Sequence, residues 1–149
     1  MTTTAPVPSR LDDLDDPFWR ACARSQLLLH QCQVCSRMYW PASCCVDHGG
    51  SAMAWVPSPG RGALETYTVV HRTGLPGFAS RTPYTVAVVR LEEGVLFHTS
   101  VVGADPADLR IGMPLTVEFA VQADGVYLPV FRPAAPAVDA PDPTPPTED

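Results

Sequence analysis

The chain is 149 residues long and carries ten Arg, no Lys, sixteen acids and five Cys, for a formal net charge of −6; at roughly 100–200 residues per domain this is one domain, or one domain with a small appended module. Eight of the sixteen acids (Asp12, Asp13, Asp15, Asp16, Asp139, Asp142, Glu148 and Asp149) lie near the ends, so between Pro17 and Val138 nine Arg face eight acids. A body so nearly neutral excludes a broad basic face for duplex nucleic acid or an anionic membrane, and the missing lysine excludes Schiff-base and phosphate-loop lysine chemistry.

Residues 1–11 hold Thr, Pro and Ala with little to bury, and are expected to be disordered. The opening MTTTAPVPSR has neither a basic start nor an apolar core, so no secretory signal is read there. No later apolar run approaches the roughly 20 residues of a membrane span. An odd number of Cys without an export signal points to a reducing compartment, the cytoplasm, with free or metal-bound thiols. Residues 12–26 are read as a short helix. Asp15-Asp16-Pro17 puts acids at the cap and Pro at the first helical position, and Phe18, Trp19, Cys22 and Ala23 follow at helical spacing, ending near Arg24-Ser25. So short a helix is marginal alone, so Phe18 and Trp19 have to dock on the body or on a partner.

Residues 27–57 carry the cysteine cluster. Leu27-Leu28-Leu29-His30 reads as a strand leading into Cys32-Gln33-Val34-Cys35, with Cys44-Cys45-Val46-Asp47-His48-Gly49-Gly50 about ten residues on. Two tight turns each presenting soft ligands are the layout of a zinc ribbon. A standard second turn has a Cys three positions after Cys44, but that position is Asp47. The ligands read from this pattern are Cys32, Cys35, Cys44 and His48, with Asp47 or Cys45 as alternatives for the fourth. A ribbon that has lost its metal, with buried thiols, and a redox CxxC are the competing readings.

Residues 58–133 switch to period two. Strands are read at 63–71, 84–91, 95–102, 114–121 and 126–131, with hairpin turns at Glu92-Glu93-Gly94 and Ala123-Asp124-Gly125 and one helical turn capped by Asp105. Five strands with a helical turn between the third and fourth fit the partly open Greek-key barrel of the OB-fold. Residues 134–149, Pro-rich and acidic, are expected to be disordered.

His71 and His98 fall in strands with no nucleophile placed beside them, Cys22 and Ser25 have no oxyanion loop, and Glu92 and Glu93 mark a hairpin tip. No set of residues supplies nucleophile, base and orienting group together, so the chain is read as having no complete active site.

The order of these parts carries a resemblance. The Phe-Trp helix, the CxxC knuckle with Tyr39-Trp40-Pro41, a second Cys knuckle, Gly60-Arg61-Gly62 opening the first barrel strand, Thr82-Pro83-Tyr84, Ile111-Gly112-Met113-Pro114 and Leu128-Pro129-Val130-Phe131-Arg132-Pro133 follow one another. Together they resemble the rubredoxin-like zinc ribbon plus OB-fold family, the domain of unknown function thirty-five, over roughly Asp15 to Pro133. Asp47 departs from the pattern where the family usually has its fourth Cys. The resemblance implies a non-catalytic accessory subunit of a thiolase-like complex acting on acyl-CoA thioesters. The reaction would be retro-aldol cleavage of steroid or aromatic side chains, or acyl transfer. The partner would carry the catalytic residues, in a hetero-oligomer with two copies of each chain, and the zinc would be structural. The loop 72–83 joins the first two barrel strands, where OB-folds bind ligands. Arg72, Phe78 and Arg81 are its candidates for meeting CoA; the alternative is a connector whose Leu75 and Phe78 fold back on the barrel. Phe18, Trp19, Trp40 and Trp55 are candidates for a partner interface, with the ribbon core as the alternative for Trp40 and Trp55. The competing class is a single-stranded nucleic-acid module, against which the near-neutral body speaks.

Overall fold

A computed structural model describes residues 14–75 and 77–135. The termini expected to be disordered, 1–11 and all of 134–149 but Ala134 and Ala135, lie outside the described residues. Helix α1 spans Asp16–Cys22 with Asp15 at its N-cap and Pro17 in its first turn, where a missing N–H costs nothing. Asp16 and Arg20 pair at 2.7 Å across one turn. The helix stops just short of the expected Arg24-Ser25: Ser25 takes a left-handed φ of 58°, and the Gln26 N–H donates back to the Ala21 carbonyl at 2.9 Å.

Three strands follow as a small antiparallel sheet: β1 (Leu27–Cys32), β2 (Met38–Tyr39) and β3 (Met53–Ser58), in the order β2-β1-β3. Alternation turns Leu27 and Leu29 of β1 inward. The barrel comprises β4 (Arg61–Val70), β5 (Tyr84–Leu91), β6 (Leu96–Val101), β7 (Pro114–Val121) and β8 (Tyr127–Pro133). A 3₁₀ turn, Pro106–Asp108, lies between β6 and β7, and the Asp105 carboxylate accepts from the Ala107 N–H at 2.8 Å. The strand order is β4-β5-β6-β8-β7, closed, where the sequence had suggested a partly open barrel. Closure rests on one parallel pair, Val101 with Phe131, and a 2.8 Å bond from the Val102 N–H to the Phe131 carbonyl. Beyond it β8 carries Pro129, which has no N–H to offer β6, and the Thr99 hydroxyl donates to the Pro129 carbonyl at 2.9 Å instead.

The sheet joins the barrel through Gly60, whose φ is +65° and whose missing Cβ would collide with the Val117 side chain. The close approach is held by the Val117 N–H donating to the Gly60 carbonyl at 2.8 Å. Among the described residues no helix is long and apolar enough to cross a membrane.

Helix, small sheet and barrel share one core, running from Phe18, Leu27 and Leu29 to Phe97, Leu115 and Phe131. This corrects one expectation about the interface. Phe18 has no exposed surface; its ring lies 4.1 Å from that of Trp40 and 5.0 Å from that of Trp19. Trp19, Trp40 and Trp55 are half-buried and pack against the same core. A ribbon too small for a core of its own borrows the barrel's, so these rings meet the chain's own body first. Phe18→Ala should therefore lower stability by about 3–5 kcal/mol, read as a fall in the urea midpoint of the whole chain; an unchanged midpoint would contradict a shared core.

Candidate functional site

The two cysteine turns fold alike. At the end of β1 the chain turns so that the Ser36 N–H donates to the Cys32 carbonyl at 2.8 Å, with Ser36 at φ 61°. In the second turn the Gly49 N–H donates to the Cys45 carbonyl at 2.9 Å, with Gly49 at φ 71°. Each turn offers a ligand, two spacers, a second ligand and a left-handed residue. Their four ligand atoms, Cys32 Sγ, Cys35 Sγ, Cys45 Sγ and a His48 ring nitrogen, all lie within 4.8 Å of one another.

The separations test whether an ion fits. An ion held tetrahedrally at about 2.3 Å from sulfur and 2.0–2.1 Å from nitrogen sets sulfurs about 3.8 Å apart and a sulfur–nitrogen pair about 3.6 Å apart. Cys35 and Cys45 sulfurs are 3.8 Å apart, and His48 Nδ1 is 3.5 Å from both Cys32 and Cys45 sulfurs. A disulfide would need about 2.05 Å. The cluster is suited to hold a metal ion.

Its membership differs from the sequence reading at one thiol. Cys44 is exposed and outside the cluster, because the residue next to an inward-facing Cys45 faces away. Cys45 takes its place, and Asp47 is drawn aside into an ion pair with Arg37 at 3.0 Å. The signal lay in the sequence: counted from Cys45, the motif is Cys-x-x-His followed by Gly, in step with Cys-x-x-Cys followed by Ser.

The electrostatics favour thiolates at Cys32 and Cys45, whereas at Cys35 the lowering by the Arg37 backbone N–H is outweighed by loss of solvent and by the sulfurs of Cys32 and Cys45. The Tyr39 hydroxyl donates to Cys45 Sγ at 3.3 Å; this, with the Asp47 backbone N–H and the His48 ring, holds the Cys45 thiol down at about 6. A backbone N–H of Cys35 lowers Cys32, and the sulfur of Cys45 raises His48. Cys22, by contrast, is pushed up to about 12 by burial, which leaves it inert.

The β4–β5 connection builds a second feature. Phe78 is half-buried, with its ring 6.0 Å from that of Tyr84, and the Arg81 guanidinium lies 5.4 Å from the Phe78 centroid while donating to Gln122 Oε1 at 2.9 Å. Phe78, Arg81 and Tyr84 line a cavity of about 240 Å³ whose floor is Val102, Leu128 and Val130. Phe78 does fold back, but Leu75 stays 59% exposed, and Arg72 is exposed beside it. His98, exposed in β6, lines a neighbouring cavity of about 200 Å³ with Phe18, Trp19, Trp40 and Phe97. His71 is exposed just after β4.

Residues 55–120 match the family described as "ChsH2, C-terminal OB-fold domain". A "Probable enoyl-CoA hydratase alpha subunit" of Thermomonospora curvata is 36% identical over 125 residues, 82% of this chain and 38% of that protein. The "3-oxo-4,17-pregnadiene-20-carboxyl-CoA hydratase alpha subunit" of Mycobacterium tuberculosis is 30% identical over 68% of this chain and 32% of its own length. The chain thus spans only about a third of the length of these two relatives. A "DUF35 domain-containing scaffold protein" of Methanocaldococcus jannaschii is 29% identical over 72% of this chain and 78% of its own length. The solved structure "Ltp2-ChsH2(DUF35) aldolase" superposes with a TM-score of 0.77 at 30% identity, covering 86% of this chain and 100% of the matched one.

In metal-free protein, a Cys45 thiol ionising near 6 when folded and near 9 otherwise contributes stability fully above the unfolded value and loses it as pH falls through the folded one. The ultraviolet thiolate absorbance should accordingly disappear in a step near pH 6, and Cys45→Ser should remove that step; titration near 9 alone would contradict the assignment.

Proposed function

The chain belongs to the DUF35 OB-fold family, and from that premise we propose that it is the non-catalytic accessory subunit of a thiolase-like, acyl-CoA-processing aldolase complex. The observation that carries this reading is the match to the DUF35 chain of an aldolase, covered over its whole length. Relatives named as alpha subunits of CoA-thioester hydratases support the substrate class. In this reading the partner supplies the catalytic residues. The small chain completes the assembly and lends its β4–β5 loop to the CoA or acyl channel. The cavity under Phe78 is apolar enough for an acyl or pantetheine chain. Arg72 and Arg81, which have no carboxylate partner among the described residues, suit a CoA phosphate. Free thiols and CoA chemistry both fit the cytoplasm.

Zinc is the ion proposed for the Cys32, Cys35, Cys45 and His48 cluster, since three thiolates and an imidazole are a common tetrahedral set for it. Four protein ligands leave no position for a water, so its role is structural: it closes the ribbon and supplies no reacting group. Purified without chelator, the chain should carry close to one zinc. Cys45→Ser should lose it and Cys44→Ser should keep it; retention by Cys45→Ser would overturn the ligand set.

Reconstitution tests the wider reading. The chain alone should cleave no acyl-CoA, whereas co-expression with the thiolase-like partner should give a stable, active complex. Within it Arg81→Ala should raise the KM for acyl-CoA about tenfold, the worth of one hydrogen bond to a charged group. Turnover by the isolated chain would overturn the proposal, and tight, salt-sensitive binding of single-stranded oligonucleotides would favour the nucleic-acid class.

A further inference from the structure

The second metal knuckle is clasped from outside by residues that are not ligands. Antiparallel pairing of Tyr39 with His30 carries the phenol of β2 over Cys45. Its hydroxyl oxygen lies 3.3 Å from Cys45 Sγ, 3.4 Å from Arg37 Nη1 and 3.5 Å from the Val46 backbone N. A guanidinium and a backbone N–H can only donate, so these two groups occupy the lone pairs of the oxygen. The single hydroxyl proton is left for the sulfur. Arg37 also reaches Asp47 at 3.0 Å. Both spacer residues between Cys45 and His48 are therefore tied to the Arg37–Tyr39 pair, one through its backbone and one through its carboxylate.

We propose that Tyr39 is a positioning residue of the metal centre. Its hydroxyl, oriented by Arg37, donates to the Cys45 sulfur and keeps the second knuckle in its ligand-bearing shape, which governs how firmly the ion is held. The inference rests on the metal reading of the four-ligand cluster. Two physical effects support it. A donor on a thiolate draws off part of the charge that three thiolates concentrate around one ion, and charge-assisted bonds of this kind are stronger than neutral ones. Partners that orient a metal ligand commonly contribute about 10- to 100-fold in affinity. Removing the hydroxyl leaves no stranded group, since Arg37 and Val46 are exposed and can turn to water.

The test uses the full chain loaded with Zn²⁺ or, for spectroscopy, Co²⁺. Compared with the wild type, Tyr39→Phe should hold zinc about 10- to 100-fold less tightly in competition with a chelator. Its sulfur-to-cobalt charge-transfer band should move to lower energy, because a sulfur without a donor gives up its electrons more readily, while the far-ultraviolet circular dichroism stays unchanged. Arg37→Ala, which keeps the phenol but frees its orientation, should move both readouts in the same direction by less. Wild-type zinc affinity with an unmoved band in Tyr39→Phe overturns the proposal. If that variant fails to fold, Arg37→Ala decides on the same two readouts, and no change there also overturns it. Cobalt uptake by the wild type and its loss in Cys45→Ser establish the metal reading separately; a wild type that takes up no cobalt overturns that reading and this proposal together.

Discussion

A column of aromatic rings ties the three parts of the molecule together. Phe18 of α1 lies on Trp40 at 4.1 Å, Trp40 on Phe97 of β6 at 5.2 Å, and Phe97 near Phe131 of β8 at 5.9 Å. Phe18, Phe97 and Phe131 lie in α1, β6 and β8 and Trp40 directly follows β2, so neither helix nor ribbon can separate without breaking contacts inside the barrel. Such pairs add about 0.5–1.5 kcal/mol each beyond the area they bury. The larger consequence is geometric: the cysteine knuckles keep a fixed place against the barrel.

The same column explains the thin closure of the barrel. Phe131 is both the end of the column and the residue that pairs with Val101 to join β6 to β8. Below that point Pro129 offers β6 no N–H, and Trp40 and Phe18 border the cavity that runs beside the seam. The helix and ribbon thus stand against the thinnest seam of the closed barrel, and apolar cavities lie along this seam on both sides of Leu128 and Val130.

Charge follows a parallel economy. Arg61 pairs with Glu92, Arg90 with both oxygens of Glu65, and Arg132 with Glu118. Exposed pairs of this kind add little stability. Their effect is to neutralise the barrel wall. The β4–β5 loop keeps the Arg81 guanidinium at the edge of an apolar cavity, with Arg72 exposed in the same loop, which is unlike the long basic groove a single strand of nucleic acid needs.

The strands were legible in the sequence because alternation is local. Thr85, Ala87, Val89 and Leu91 point inward along β5 as their spacing dictates. The metal cluster was half legible. Cys32 and Cys35 are bound to one tight turn; between the adjacent Cys44 and Cys45 the repeated turn pattern becomes legible only when the second knuckle is counted from Cys45, whose sulfur the Tyr39 hydroxyl meets. The aromatic residues misled in a similar way: Phe18 on a short helix reads equally well as core or as interface, since amphipathic spacing states that a face is buried and not what buries it. The sequence by itself determined the elements, their order and the kinds of ligand available, because propensity, turn chemistry and hydrophobic period act over a few residues. Tertiary structure decided that the barrel closes and that the rings of the helix belong to the barrel's own core, because both depend on contacts between residues far apart in the chain.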